Sequence, residues 1–538
     1  MTRSPTRPND PYTYTPGFGN RHQSEVIPGT LPAGQNNPQE PRFGLYTEGI
    51  TYSAFTAPRR ENFSTYLYRV RPAAAHGEFA CPQLLWIVAR LGLLCGLSEC
   101  ADGGGMLDGY KTDIECKSHI ENSLLTLNPR VHTLPSQGEW APFPLPDAAS
   151  DGNVDFVDGL HTLGGSGNPN LHEGIALYVF MINADMDRRA FCNTDGDFLI
   201  VPQLGSLDIQ TELGMLYVQP GEICVVPRGV RFAVRLGKEI GQEGGYENSD
   251  VGKGRGYIVE TWGSRWDLPD LGPLGGHGLA NPRDFLHPVA HIDDLDFLHE
   301  DWTIVNKANG SLNAIAQDHS PFDVVAWHGN VVPYKYDLTK FSSQNATSID
   351  HTDPSINCVL TARSHDPHTP LADFLWFGPR WDVASNTFRL PYFHRNAATE
   401  FLASLYGNGL GRSEDFLPGG GSVEVAHTPH GNFSKEYVWE NRVQVNEPRR
   451  ILEDQMTIMV ESSRSFLFTE YAISGCGVFK SQGTDPRVWD ALPDKFSSYP
   501  GIRGILDAVN KEKEERKRRL DAWYDDERLV ELANTPKP

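Results

Sequence analysis

The sequence predicts a mainly β protein with a helical C-terminal tail, and three observations lead there. Gly (52) and Pro (39) are abundant among the 538 residues. Together they exceed average usage, and with Val, Ile, Phe and Tyr in short runs they favour strands and turns over helices. FLIVPQLGSLDIQTELGMLYVQPGEICVVPRGVRFAV (198–234) places Gly or Pro breaks at roughly 8–12-residue spacing, the signature of a β-meander within a sandwich or barrel. DAVNKEKEERKRRLDAWYDDERLVELA (507–533) is charged and rich in helix formers, so it reads as a surface helix or as an oligomer contact.

Length and composition narrow the rest. A chain of 538 residues and 59.8 kDa exceeds one ordinary domain, so two or three are expected. TYLYRVRPA (65–73) reads as a strand, and the β-rich text from 155 to 345 closes an N-terminal region, 1–345. A second β-rich block spans 346–480, and 481–538 forms the tail. The formal charge of −22 repels phosphate backbones and argues against nucleic acid as a partner. Eight Cys residues include no C-x-x-C pair, and four (Cys81, Cys95, Cys100, Cys116) crowd one segment. That is no disulfide framework and suits a reducing cytoplasm. The first twenty residues lack an apolar signal core.

Two segments read ambiguously. PGEICVVPRGVRF (220–232) resembles the second half-motif of cupins but has no His near Phe232. It reads either as part of a metal-free jelly roll or as an ordinary hairpin. CPQLLWIVARLGLLCGLSECADGGGMLDGY (81–110) is the longest apolar stretch, yet Arg90 interrupts it. The uninterrupted length falls short of the roughly 20 residues that a membrane span needs. No P-loop, HExxH or GxSxG is present.

The densest set of potential ligands is His351, His365, His368, His394, Glu400, Glu424, His427 and His430. Ferrous iron that must activate oxygen takes neutral imidazoles and one carboxylate, with coordination positions left open. His394, Glu400 and His430 supply that set. Six residues of straight strand separate His394 from Glu400 by about 20 Å, and a helix would place them on different faces. They can share a metal only if the chain turns between them, and Asn396 is the turn former available. FLPGGGS (416–422) then returns a later strand, and TPHG (428–431) presents His430. Spacing alone does not choose iron over zinc or manganese.

PYFHRNAATEF, FLPGGGS and TPHG resemble the iron-binding core of the homogentisate 1,2-dioxygenase family. So do GFGNRHQSE (17–25), DGDFLIVPQ (195–203), LPDLGPLGGHGLANPRDF (268–285) and DHTDPSINCVLTARS (350–364). The resemblance covers about 11–75 and 120–480. It implies an N-terminal β-sandwich or jelly-roll domain, a C-terminal cupin-like jelly roll and assembly as a hexamer built from trimers. The stretch about 81–115 then reads as an atypical insertion or as a gene-model artefact such as a translated intron. By resemblance Fe(II) is held by His394, Glu400 and His430, and His351 is the acid/base for a ring hydroxyl, a task that suits a His titrating near neutrality. A small aromatic substrate binds beside His430 with O2, and homogentisate opens to 4-maleylacetoacetate in tyrosine and phenylalanine catabolism.

Two pocket positions depart from the family pattern. Gly409 stands where the family has a substrate-binding Tyr, and Tyr406, three residues earlier, is the candidate replacement. Glu424 stands where the family has a His. A carboxylate there disfavours an anionic acetate group, since two like charges at about 4 Å repel by several kcal/mol at an effective dielectric near 20. A paralogue acting on a related dihydroxy-aromatic acid is therefore a second reading. A cupin-like protein without turnover is a third.

Overall fold

The structure is a computed structural model. It describes residues 10–77, 79–80, 119–121, 123–135, 137–237, 252–272, 276, 278–344, 357–366, 369–383, 385–388, 392–407, 416–442, 447–480 and 486–536. The apolar stretch 81–110, His351, His368 and Gly409 lie outside the described residues.

Strands dominate, and three of the sheets, of seven, ten and eight strands, supply the layers around the two main cores. Strand periodicity shows why they stack. In Glu173–Ile182, Ala176, Tyr178, Phe180 and Ile182 face one core, while Ile175, Leu177, Val179 and Met181 face the other. Successive side chains of a strand point to opposite faces. The runs IALYVFMI and FLIVPQL are continuously buried because both faces of the ten-stranded sheet are covered. That sheet is the middle layer.

The meander of 198–234 forms five strands between Gly196 and Leu236, with the expected breaks. They do not stay in one sheet. Gly196–Leu204 and Glu222–Val226 pair in the middle layer, while Leu207–Thr211, Gly214–Val218 and Arg231–Leu236 belong to the seven-stranded sheet. The cupin-like motif is therefore not a hairpin, because its two strands cross between layers of a sandwich.

The eight-stranded sheet carries the candidate ligands. Its principal strands are β1 (Cys358–Arg363), β2 (Pro370–Phe377), β3 (Thr399–Tyr406), β4 (Gly421–Glu424) and β5 (Met456–Ser462). They lie in the order β1-β2-β5-β3-β4. Phe401, Ala403 and Leu405 of β3 pack toward the middle layer, and Leu402 packs on the outer face with Cys358, Leu375, Phe416 and Met459.

The regions 1–345 and 346–480 exchange strands. Trp266–Asp267 pairs with β1, and Gly138–Trp140 pairs with β4. In return Leu467–Thr469 joins the middle sheet beside Gly164 and Gly165. Trp140 is fully buried, and its indole N–H donates to the Ala472 carbonyl at 2.7 Å.

Beyond these layers come α1 (Ser434–Arg442), α2 (Ile502–Tyr524) and α3 (Glu527–Asn534). The tail predicted over 507–533 is thus two helices, with Asp526 capping the second through the Arg528 amide. No described helix is long and apolar enough to cross a membrane. The described cysteines Cys192, Cys224, Cys358 and Cys476 are all free and buried.

Candidate metal centre

Glu400 is the second residue of β3, and its side chain falls on the outer face of the sheet with Leu402. His394 and His430 come from flanking segments that the backbone ties together. The His394 amide donates to the His430 carbonyl at 2.9 Å, and the His430 amide donates to the His394 carbonyl at 3.0 Å. This two-residue antiparallel bridge sets the imidazoles 4.2 Å apart, centroid to centroid. Between His394 and Glu400 the chain bends at Ala397 and Ala398, which supplies the turn their spacing requires.

One ligand atom from each of His394, Glu400 and His430 lies within 4.8 Å of the others, the only such cluster of three among the described residues. Glu400 Oε1 is 3.8 Å from His394 Nε2 and 3.5 Å from His430 Nε2. Each imidazole is oriented from behind, His394 Nδ1 by the Tyr392 carbonyl at 2.7 Å and His430 Nδ1 by the Thr428 carbonyl at 2.8 Å. A carbonyl can only accept, so Nδ1 carries the proton and Nε2 keeps its lone pair toward the centre. His430 is 5% exposed, and its Nε2 is buried with no hydrogen-bond partner. A buried orphan acceptor is costly unless something fills it, so the donor set fits a divalent cation.

Burial pushes the Glu400 carboxyl up, but His394 and His430 when protonated, together with Asn396, outweigh it and hold the group well below the usual carboxylate range. His394 is shifted up, chiefly through its interaction with Glu400 and against burial. Asn396, read from sequence only as a turn former, is a positioning residue. Its amide N–H donates to Glu400 Oε1, and its carbonyl accepts from the His427 amide at 2.8 Å. His427 itself is exposed and adopts a left-handed φ of 60°.

Antiparallel partners share a face, and the register extends the carboxylate into a row. Glu424 of β4 and Glu461 of β5 lie directly opposite Glu400 on either side, and Asp373 of β2 lies opposite Glu461. Glu424 is fully buried. Like charges placed across strands are destabilising, so this floor favours a cation above it.

Tyr406 lies apart from the three. It ends β3, about 20 Å from Glu400 at strand rise. A register shift between Ser404 and Tyr406 turns it to the opposite face, where it packs on the core between the layers. His365 is also remote, ion-paired with Glu173.

A cleft of about 670 Å³ opens over the centre, lined by Tyr392, Phe393, His394, Arg395, Pro429, His430, Trp489 and Leu492. Trp489 is fixed by its indole N–H to the Asn432 carbonyl at 3.2 Å. Aromatic walls suit a planar ring, and exposed Arg395 offers a planar cation to a carboxylate. None of Asn396, Arg395 and Trp489 stands out from composition. The adjacency of the first two to His394 is the one signal available for them.

The family models for the homogentisate 1,2-dioxygenase N-terminal and C-terminal parts match residues 13–85 with 111–338, and 339–496. The chain belongs to the homogentisate 1,2-dioxygenase family. It is 42% identical to the homogentisate 1,2-dioxygenases of Mus musculus and of Homo sapiens, in each case over 486 residues, 90% of this chain and 97% of the relative. The enzyme of Oryza sativa subsp. japonica is 43% identical over 458 residues, 84% of this chain and 86% of the relative. The chain is thus an enzyme of the dioxygenase type. The family match is interrupted between 85 and 111, inside the apolar stretch that the sequence set apart.

Proposed function

We propose that the protein cleaves the ring of homogentisate with O2, using iron(II) held by His394, Glu400 and His430. The observation that carries this reading is the trio of ligand atoms within 4.8 Å, with His430 Nε2 buried and otherwise unpartnered. Bound iron(II) would supply the coupling between an electron-rich ring and O2 that organic side chains lack.

The remaining roles belong to the chain. His394 and His430 present neutral nitrogens because backbone carbonyls hold their Nδ1 protons. Asn396 fixes the Glu400 carboxylate. Tyr392, Phe393 and Trp489 sandwich the ring and exclude water, and Arg395 pairs with the acetate group at the lip of the cleft. His351 receives the proton of a ring hydroxyl, a role assigned by its place in DHTDPS. Both oxygen atoms enter the product, 4-maleylacetoacetate, which places the reaction in tyrosine and phenylalanine breakdown in the cytoplasm.

The test is oxygen uptake by the Fe(II)-loaded full chain with a panel of dihydroxyphenyl acids. The expected result is one O2 consumed per homogentisate and a product heavier by two oxygen atoms. Bound iron with no uptake on any ring would overturn the reading. A second reading rests on buried Glu424 directly across from Glu400. On that reading a related dihydroxy-aromatic acid has a higher kcat/KM than homogentisate, and Glu424→Gln moves the preference back toward homogentisate.

A further inference from the structure

Helix α2 begins at Ile502, beyond residue 496 where the family match ends, and none of its 23 residues is buried. Helices in proteins owe most of their stability to packing of an apolar face, and here no residue of that face is buried against the described part of its own chain. Its apolar residues are not scattered. Ile502, Leu506, Val509, Leu520 and Trp523 follow steps of four and three, with Lys513 and Arg516 filling the two middle positions. At 100° per residue they share one stripe with Ile505 and Tyr524. Val509 is 41% exposed and Trp523 57%. The ion pairs Glu514–Arg518 and Glu515–Arg519, at 3.7 and 3.9 Å, lie away from that stripe. This is the a/d pattern of a coiled coil over about three heptads.

We propose that α2 is a self-association element that pairs in parallel, in register, with α2 of a second copy of this chain. Charge and apolar matching select that occupant. In parallel register five layers are apolar, from Ile502 to Trp523. In the antiparallel register that stacks Leu506 on Trp523 and Val509 on Leu520, Ile502 falls opposite Glu527, past the end of α2. Glu512 flanks the seam five residues before Lys517, the separation at which flanking residues of parallel partners meet, so each copy offers the other an attractive pair. In register Lys513 and Arg516 face their own copies at a cost in stability, but a one-heptad slip would keep only one apolar layer, Ile502 against Val509. The aliphatic stems of Lys513 and Arg516 can lie along the seam with the charges turned outward. A membrane surface is the poorer fit, since Lys513 and Arg516 cut the apolar stripe in two.

The test uses the full-length iron-loaded protein at physiological salt. Light-scattering mass is compared between wild type and Leu506→Asp/Leu520→Asp, and Val509→Cys is oxidised mildly. The expected result is that the double variant has half the wild-type mass, with unchanged iron content and O2 uptake. Val509→Cys should form a disulfide-linked chain dimer that wild type does not. Equal masses for wild type and the double variant overturn the proposal. So does absence of the cross-link. Wild type that binds phosphatidylserine vesicles with no mass difference between the variants also overturns it, in favour of a lipid surface.

Discussion

Two buried carboxylates, Glu260 in the middle sheet and Glu400 in the outer one, are solved in opposite ways. Glu260 is fully buried and saturated by its own chain. Lys307 Nζ lies 2.8 Å away, Asn193 donates at 2.7 Å and the Tyr178 hydroxyl at 2.6 Å. Lys307 also reaches Asp195 at 2.7 Å. The same holds around Arg69, where Glu48, Glu212 and Asp323 converge on a fully buried guanidinium. Glu400 has no Lys or Arg among its described partners. It faces two imidazole nitrogens and an amide, beside further carboxylates on the neighbouring strands. A buried acid with a resident cation is architecture. One that looks at lone pairs is set for a cation from outside, because desolvated charge is not left uncompensated.

The sharpest way to break this contrast is Glu400→Gln. Even residues behind the ligands cost about 10–100-fold when lost. Removing the anionic ligand should therefore lower iron retention and O2 uptake by at least about 100-fold, while the thermal midpoint of the metal-free protein stays near wild type. Metal analysis after gel filtration checks it. Lys307→Met should do the reverse. It strands two buried acids and costs about 3–5 kcal/mol, seen as a lower thermal midpoint with iron per folded chain unchanged.

Asp197 sharpens the comparison through pH. Burial pushes its carboxyl up to about 6, against the Arg228 amide and the Tyr52 hydroxyl, which pull it down. The unfolded chain releases this proton near the ordinary value of 3.8, while the folded chain keeps it to about 6. The unfolded state therefore binds fewer protons in that window, and Asp197's contribution to stability falls as pH rises through it, by about 3 kcal/mol at most. The melting temperature of Asp197→Asn should gain on wild type between pH 4 and 7. A constant gap would contradict this. The smallest effect is expected at Asn396. Asn396→Ala frees the Glu400 carboxylate and should weaken iron affinity about 10–100-fold with little loss of fold, measurable by competition with a chelator.

Much of this was legible in the sequence. The alternation of 196–236, the strand Ser64–Arg69 and the helical tail follow from local pattern. The three candidate ligands were proposed from motif, and the bend between His394 and Glu400 was required by strand rise. What stayed hidden is what register creates. Nothing local in VEV or VES says that Glu424 and Glu461 flank Glu400 across the sheet, and nothing near Gly138 marks it as a partner of Val423. The face that Tyr406 takes was hidden for the same reason, since one irregularity in pairing reverses which face a side chain takes.

The strand exchange also governs the order of assembly. The indole of Trp140 waits for a carbonyl 332 residues later in the chain, and β4 cannot gain its neighbour until both regions exist. Contacts so distant in sequence close slowly, and an N-terminal region made first must hold an open edge during synthesis. Neither region should mature as a separate polypeptide. The candidate metal centre is a late product of the whole chain, and damage to the first third of the protein will be felt at a site that contains none of its residues.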